Sequence, residues 1–139
     1  MKNIVIISFL IVSLCAFVAP SSDYKGVQFQ NINFNQALAK AKQENKFVFM
    51  NVYAVWCGPC KLLKKNTFTS EKVGVAVNKS FVSIDVDAEK GEGISLSKKY
   101  EVKAHPLILI INPEGKVVKR ILGYRTDAQL LSELKGLLK

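Results

Sequence analysis

Hydrophobic residues along this chain fall into short continuous runs and into longer stretches with helical spacing. The continuous runs lie at residues 47–53, 81–86 and 107–111, and such runs are typical of strands buried on both faces of a sheet. The segment from Asn112 to Gly115 has proline and glycine where a tight turn uses them. Residues 116–122 are therefore predicted to pair back as a hairpin partner. A short edge strand is predicted at residues 27–29.

Polar residues that can cap helices precede the stretches of helical spacing. Asn33, followed by Gln36 three positions later, predicts a helix over residues 34–44 in capping-box fashion. Further helices are predicted from near Pro59 to about Phe68, over 71–78 after Ser70, over 93–100, and after Thr126. The predicted order is β-α-β-α-α-β-α-β-β-α. It indicates an α/β protein with a central mixed β-sheet flanked by helices on both faces.

The N-terminal segment has the pattern of a secretory signal peptide. Lys2 is followed by an apolar run from Ile4 to Val18, shorter than the roughly 20 residues of a membrane span. Small residues follow at Ala19 and Ser21, so cleavage after Ser21 satisfies the small-x-small rule for signal peptides. Residues 1–21 are therefore predicted to be removed, and residues 22–139 are predicted to form one domain. An uncleaved anchor and a lipoprotein signal at Cys15 stay as alternatives. Export predicts an extracytoplasmic location, the bacterial periplasm.

Charge and composition narrow the classes of partner. The chain of 139 residues carries a formal charge of +9, and its basic residues are scattered. They form no run interleaved with aromatic residues of the kind that binds single-stranded nucleic acid. We therefore expect no nucleic-acid partner, and a basic surface that suits acidic partners or anionic membranes.

Three cysteines are present, and Cys15 would leave with the signal peptide. A bridge between Cys57 and Cys60 closes a very small loop and stabilises little, so this pair is predicted to serve chemistry. At a helix N-terminus Cys57 would have a lowered pKa and attack a disulfide, and Cys60 would resolve the mixed disulfide. A zinc site is the alternative, but His105 is the only further soft ligand, whereas zinc takes three or four protein ligands. We therefore expect no metal.

The segments Val52-Tyr53-Ala54-Val55-Trp56-Cys57-Gly58-Pro59-Cys60-Lys61 and Val102-Lys103-Ala104-His105-Pro106-Leu107, with Gly123 before the last helix, resemble the thioredoxin family. The resemblance covers about residues 27–139. Within the family the chain looks most like exported domains related to the C-terminal domain of the bacterial transmembrane thiol:disulfide interchange protein. The phrases Asn45-Lys46-Phe47-Val48 and Lys64-Lys65-Asn66-Thr67-Phe68 are the basis of that closer likeness.

This resemblance implies a thioredoxin fold, no organic cofactor, and exchange with disulfides of protein substrates. It assigns Cys57 as nucleophile, Cys60 as resolver, Trp56 as an exposed contact surface and Pro106 as the cis-proline beside the sulfurs. The spacer Gly58-Pro59 is that of reducing thioredoxins. A substrate segment is expected to pair with the backbone beside Pro106.

The chain departs from the family pattern at three positions. Asn51 stands where thioredoxins have a buried acidic residue, and Lys64 where the closer relatives have another. Both candidate proton acceptors for Cys60 are therefore absent from their usual positions, and Lys64 is expected to be solvated. His105 precedes the cis-proline where small or β-branched residues are usual. Either the His105 side chain changes the reactivity of Cys57, or only the His105 backbone matters. Asn51 either changes the reactivity of the cysteines or is a hydrogen-bonded amide of the core.

Together these features predict a monomeric protein disulfide reductase or isomerase that acts outside the cytoplasm. A reductase needs electrons, so a membrane-bound donor is the expected partner besides the protein substrates. Two other functions stay open. One is a peptide-binding or chaperone module, and the other is a dedicated thiol-reducing factor for cytochrome c maturation.

Overall fold

The computed structural model describes residues 25–139, so the predicted signal peptide lies outside the described residues. Within this part of the chain, no helix has the length and apolar character needed to cross a membrane. The helices are α1 (Phe34–Gln43), α2 (Gly58–Leu62), α3 (Glu71–Ser80), α4 (Glu92–Lys99) and α5 (Asp127–Leu134). The strands are β1 (Phe47–Tyr53), β2 (Phe81–Asp87), β3 (Leu107–Ile111) and β4 (Val117–Leu122). A π-helical turn (Leu63–Thr67) extends α2, and a 3₁₀ turn (Lys135–Leu137) follows α5.

The four strands form one mixed sheet in the order β2-β1-β3-β4. Strand β1 is parallel to β2 and antiparallel to β3, and β3 pairs antiparallel with β4. Residues of β1 and β2 lie opposite each other in register from Phe47 and Phe81 to Tyr53 and Asp87. This arrangement confirms the predicted α/β class and the mixed sheet.

Alternation along the strands sends side chains into two hydrophobic layers, one on each face of the sheet. Val48, Met50 and Val52 pack with residues of α1 and α4 on one face. Phe49 packs on the other face with Leu63 of the π-helical turn and with residues of α3 and α5. Helices therefore cover both faces, as predicted, and the central strand β1 contributes to both layers.

Two sequence predictions need correction. The expected edge strand at residues 27–29 is reduced to one bridge between Phe29 and Ser83, since the remaining backbone of this segment pairs with loop and side-chain groups instead. The helix expected to run to about Phe68 changes geometry after Leu62, and the Phe68 N–H donates to the Leu63 carbonyl five residues back at 3.0 Å. Hydrophobic periodicity does not distinguish such a π-helical turn from an α-helix.

The predicted caps differ in how well they form. Asn33 and Gln36 make the reciprocal capping box expected for α1. Thr126 starts α5 and makes a similar box with Gln129, so its predicted capping role is also correct. Ser70 occupies the N-cap position of α3 but makes no side-chain capping bond.

Candidate active site

The cysteine pair lies where β1 leads into α2. Cys57 is the N-cap residue of α2, and its Sγ accepts a hydrogen bond from the Cys60 backbone N–H at 3.2 Å. Pro59 lies in the first turn, where its missing N–H leaves no backbone bond unmade. The two cysteines form a disulfide with their Cα atoms 5.3 Å apart. The local fold thus places both sulfurs at the N-terminal end of a helix, where N–H groups and the helix dipole stabilise an anionic sulfur.

The disulfide is buried, but two residues that precede it in the chain are exposed. Cys57 and Cys60 are 4% and 2% exposed and pack against Ala54, with Tyr53 beside them. The neighbouring Trp56 is 67% exposed and Val55 is 52% exposed. These two side chains form an apolar rim, which we call the Trp56 rim, next to the sulfurs.

Trp56 is held from two sides. Its indole N–H donates to a carboxylate oxygen of Glu89 at 3.0 Å, and its ring meets the His105 ring edge-to-face at 6.2 Å between centroids. Glu89 lies in the loop after β2, where its backbone N–H donates to Asp87. Nothing in the sequence pattern points to Glu89, because the contact depends on how that loop turns.

His105 and Pro106 come to the same edge of the site. The peptide bond between them is cis, as the family pattern implies, and the Pro106 carbonyl accepts a hydrogen bond from the Gly123 N–H. The Nδ1 atom of His105 is buried and has no hydrogen-bond partner among residues 25–139. The predicted site residues around the disulfide are thus brought together by the fold, whereas their roles stay predictions. Gly58 has open space where a Cβ would stand.

A polar network, which we call the Asn51 network, lies on the sheet face covered by α2. Asn51 is 1% exposed, and its side-chain NH₂ donates to Asp85 at 2.7 Å. The other carboxylate oxygen of Asp85 pairs with the Lys64 ammonium at 2.5 Å, and that ammonium also lies 3.4 Å from the centre of the Tyr53 ring. A carboxylate therefore does lie beside position 51, although it comes from β2.

This network corrects one expectation and adds a residue that sequence reasoning missed. Lys64 is not a freely solvated helix residue, because it is ion-paired and its side chain is 37% exposed. The sequence pattern identifies the strand that contains Asp85 only as buried and does not single this residue out. The feature that could have identified Asp85 is its charge within an otherwise apolar run, two positions after Ser83 and on the same face of the strand.

Within residues 25–139, no three His, Cys, Asp or Glu side chains lie together in a group that could hold a metal ion.

Comparison with known proteins gives the same picture of the chain. A family model described as a thioredoxin-like domain matches residues 34–137. The thiol:disulfide interchange protein DsbD of Yersinia pestis is 34% identical over 117 residues, which cover 81% of this chain but 20% of that protein. An H-type thioredoxin of Fagopyrum esculentum is 33% identical and covers 70% of this chain and 78% of its own length.

Solved structures agree with these relatives. The solution structure of a protein assigned as a disulphide-isomerase from Bacteroides thetaiotaomicron superposes with a TM-score of 0.72 at 40% identity, covering 82% of this chain and 94% of that one. The oxidised C-terminal domain of DsbD from Neisseria meningitidis gives a TM-score of 0.62 at 25% identity, with 73% and 91% covered. The chain thus spans about a fifth of the full interchange proteins and corresponds to most of that one domain.

Proposed function

Since this chain belongs to the thioredoxin-like family, we propose that it is a protein thiol–disulfide oxidoreductase that reduces or isomerises disulfides outside the cytoplasm. The expected resemblance to the thioredoxin family, and to the DsbD C-terminal domain within it, is confirmed by the family model and by the solved domains. The relatives are named as thiol:disulfide interchange proteins, thioredoxins and disulfide isomerases. The observation on which the proposal rests is the disulfide between Cys57 and Cys60 at the start of α2, beside the cis-proline.

In the proposed reaction, the reduced domain transfers two electrons to a substrate disulfide. The Cys57 thiolate attacks one substrate sulfur, so a mixed disulfide forms and the other substrate sulfur leaves as a thiolate. Cys60 then loses its proton and attacks the Cys57 sulfur. The second substrate sulfur leaves, and the domain ends in the disulfide form that the structure shows. A donor of two electrons must reduce it again.

The surroundings of the sulfurs support a protein substrate. The Trp56 rim offers an apolar contact next to the disulfide. The backbone beside Pro106 can pair with an extended substrate segment, which would bring a substrate disulfide to Cys57. Gly58 lies between Cys57 and Pro59 and adds no side chain next to the sulfurs. His105 is proposed to border the same approach through its ring contact with Trp56.

The location and partners belong to the same proposal. Residues 1–21 act as a cleaved signal peptide in this proposal, and residues 22–139 work as a monomeric domain in the periplasm. The apolar run from Ile4 to Val18 and the relationship to interchange proteins support it. A membrane-bound protein is the proposed electron donor.

The test compares full-length protein with variants of each cysteine in a dithiothreitol-driven reduction of insulin disulfides. Cys57→Ser and Cys60→Ser are expected to lose turnover, and Cys60→Ser is expected to accumulate mixed disulfides because resolution needs the second thiol. On non-reducing gels of envelope extracts these adducts appear as slower bands that dithiothreitol removes. Cys15→Ser is the matched control and keeps full turnover. A double variant of Cys57 and Cys60 that kept the cellular function would contradict the proposal and favour a peptide-binding module.

A further inference from the structure

The Asn51 amide has a fixed orientation. A carboxylate can only accept hydrogen bonds, so the group that faces Asp85 at 2.7 Å must be the Asn51 NH₂. The carbonyl oxygen of the same amide is therefore the end that faces away from Asp85. That oxygen is buried and has no hydrogen-bond partner within the part of the chain that the structure describes. A buried acceptor without a donor is costly, so it calls for an explanation.

The position of Asn51 in the fold places this residue on the sheet face against which the active-site helix packs. Asn51 lies on the same face of β1 as Phe49, which packs with Leu63, and as Tyr53, which packs against the cysteine cluster. Cys60 lies one helical turn before Leu63. The two residues on either side of Asn51 on this face of β1 therefore pack with the two ends of the turn that contains Cys60.

The redox state decides whether a donor is present there. In the disulfide form neither sulfur carries a hydrogen. Reduction adds two electrons and two protons, and the resulting Cys60 thiol is a donor in a place that is 2% exposed. The Cys60 thiol is then a buried donor on the element that faces the buried Asn51 acceptor, and the Cys57 sulfur is the other acceptor beside this thiol.

We propose that the Asn51 carbonyl oxygen accepts a hydrogen bond from the Cys60 thiol in the reduced protein, and that Asp85 and Lys64 are positioning residues that hold the amide in this orientation. The proposal deepens the proposed function and rests on it, because it assumes that the cysteine pair alternates between disulfide and dithiol. It assigns Cys60 the protonated state at rest and leaves the thiolate to Cys57. It also makes the dithiol form more stable relative to the disulfide.

The S–H stretching band in the infrared spectrum tests the bond directly. In the full chain with Cys15→Ser and Cys57→Ala, Cys60 is the only thiol, and its band is expected at the lowered frequency of a hydrogen-bonded S–H. Asn51→Leu has nearly the same shape but no acceptor, so the band should move up to the frequency of a free thiol. An identical band with and without Asn51→Leu overturns the proposal.

A matched pair of variants tests the positioning role of Asp85. Asp85→Ala releases the amide, so the band should split or move toward the free-thiol frequency. Asp87→Ala removes the same charge two residues further along β2 without touching Asn51, and the band should stay in place. An S–H band whose frequency does not change with Asp85→Ala, or changes equally with Asp87→Ala, overturns the assignment of Asp85.

The equilibrium with glutathione gives a second measurement in chains that keep Cys57 and Cys60. Asn51→Leu removes a bond from the dithiol form and an unpaired acceptor from the disulfide form, so the equilibrium should move about tenfold toward the disulfide, or about 30 mV lower in potential. No shift, or a shift toward the dithiol, overturns the proposal. Neither measurement uses substrate turnover, so failure of the proposed enzymatic function and failure of this inference are distinguishable.

Discussion

Replacing Asn51 by aspartate places a second carboxyl group beside Asp85 inside the core. The two side chains have nearly the same shape, so the new oxygen would take the place of the NH₂ that lies 2.7 Å from Asp85. Two ionised carboxylates at that separation repel, and position 51 is 1% exposed. Burial and the neighbouring charge both raise the pKa of the new carboxyl, and the Lys64 ammonium offsets this only in part because it is already paired with Asp85. We therefore expect the new group to hold a proton that it donates to Asp85.

The size of the effect follows from linkage between protonation and folding. In the unfolded chain the new aspartate ionises near a pKa of ~3.9, and each unit by which folding raises its pKa costs about 1.4 kcal/mol once the pH exceeds both values. A rise of two units makes the variant less stable than the natural chain by about 3 kcal/mol near neutral pH. The native state binds the extra proton, so the free energy of unfolding falls as the pH rises between the two pKa values. Below about pH 4 both states are protonated and the difference should largely vanish.

Urea denaturation of the oxidised full-length protein across this pH range measures the effect. The control is the exchanged double variant, with Asn51→Asp and Asp85→Asn, which restores one acid and one amide. It should recover about 1.5–3 kcal/mol, the usual value of a hydrogen bond to a charged group. Asn51→Leu is the second control, since it adds no titrating group at position 51 and isolates the loss of the hydrogen bond to Asp85.

The expected rise in the pKa of the new carboxyl would be refuted by an Asn51→Asp variant whose stability relative to the natural chain does not change with pH. It would also be refuted if the exchanged variant were no more stable than the single one, because the two side chains would then not be coupled. The same variant bears on kinetics. If a missing base limits resolution by Cys60, Asn51→Asp should accelerate disulfide reduction only at a pH above the raised pKa of the new carboxyl.

Three further predictions concern the site and its support. Gly93→Ala is expected to destabilise the protein by about 1–3 kcal/mol in thermal or urea unfolding, because its Cβ would lie 1.8 Å from a backbone carbonyl oxygen; a neutral substitution would show that α4 can shift freely. Glu89→Ala should lower the fluorescence anisotropy of Trp56, the only tryptophan, because the indole loses its hydrogen bond; unchanged anisotropy would mean that packing alone holds the ring. Limiting iodoacetamide should alkylate Cys57 before Cys60 in the reduced protein, since N–H groups at a helix N-terminus favour a thiolate at the N-cap position; mass spectrometry that found Cys60 labelled first would reverse the assigned roles.

Elements defined by a continuous apolar run could be predicted closely from sequence. The bounds of β1 and β3 agree with the prediction. A polar residue marks one end of each apolar run, Lys46 before β1 and Asn112 after β3. The segment at residues 27–29 is short, and whether it pairs depends on where the loop before α1 meets β2. Local pattern does not contain that information.

The cysteine pair was predictable for a different reason. A short Cys-x-x-Cys motif between a predicted strand and a predicted helix identifies the site from residues that are adjacent in the chain. The Asn51 network was not, because the contact between Asn51 and Asp85 joins residues 34 apart in the chain and depends on the register of two parallel strands. A one-residue slip would turn Asp85 to the opposite face. The sequence therefore shows that a carboxylate is missing at position 51, whereas the pairing of strands shows where one is found.

The π-helical turn after α2 makes the length of this helix adjustable. Its Phe68 N–H reaches back five residues to Leu63, so the segment contains one residue more than an α-helix needs between the same two ends. Removal of the exposed Asn66 would leave Phe68 four residues after Leu63, and the same N–H and carbonyl could then close an ordinary α-helical bond. Both ends are anchored in the core by their own side chains. We therefore expect a one-residue deletion here to be absorbed within a single turn, with the sulfurs keeping their place at the other end of the helix.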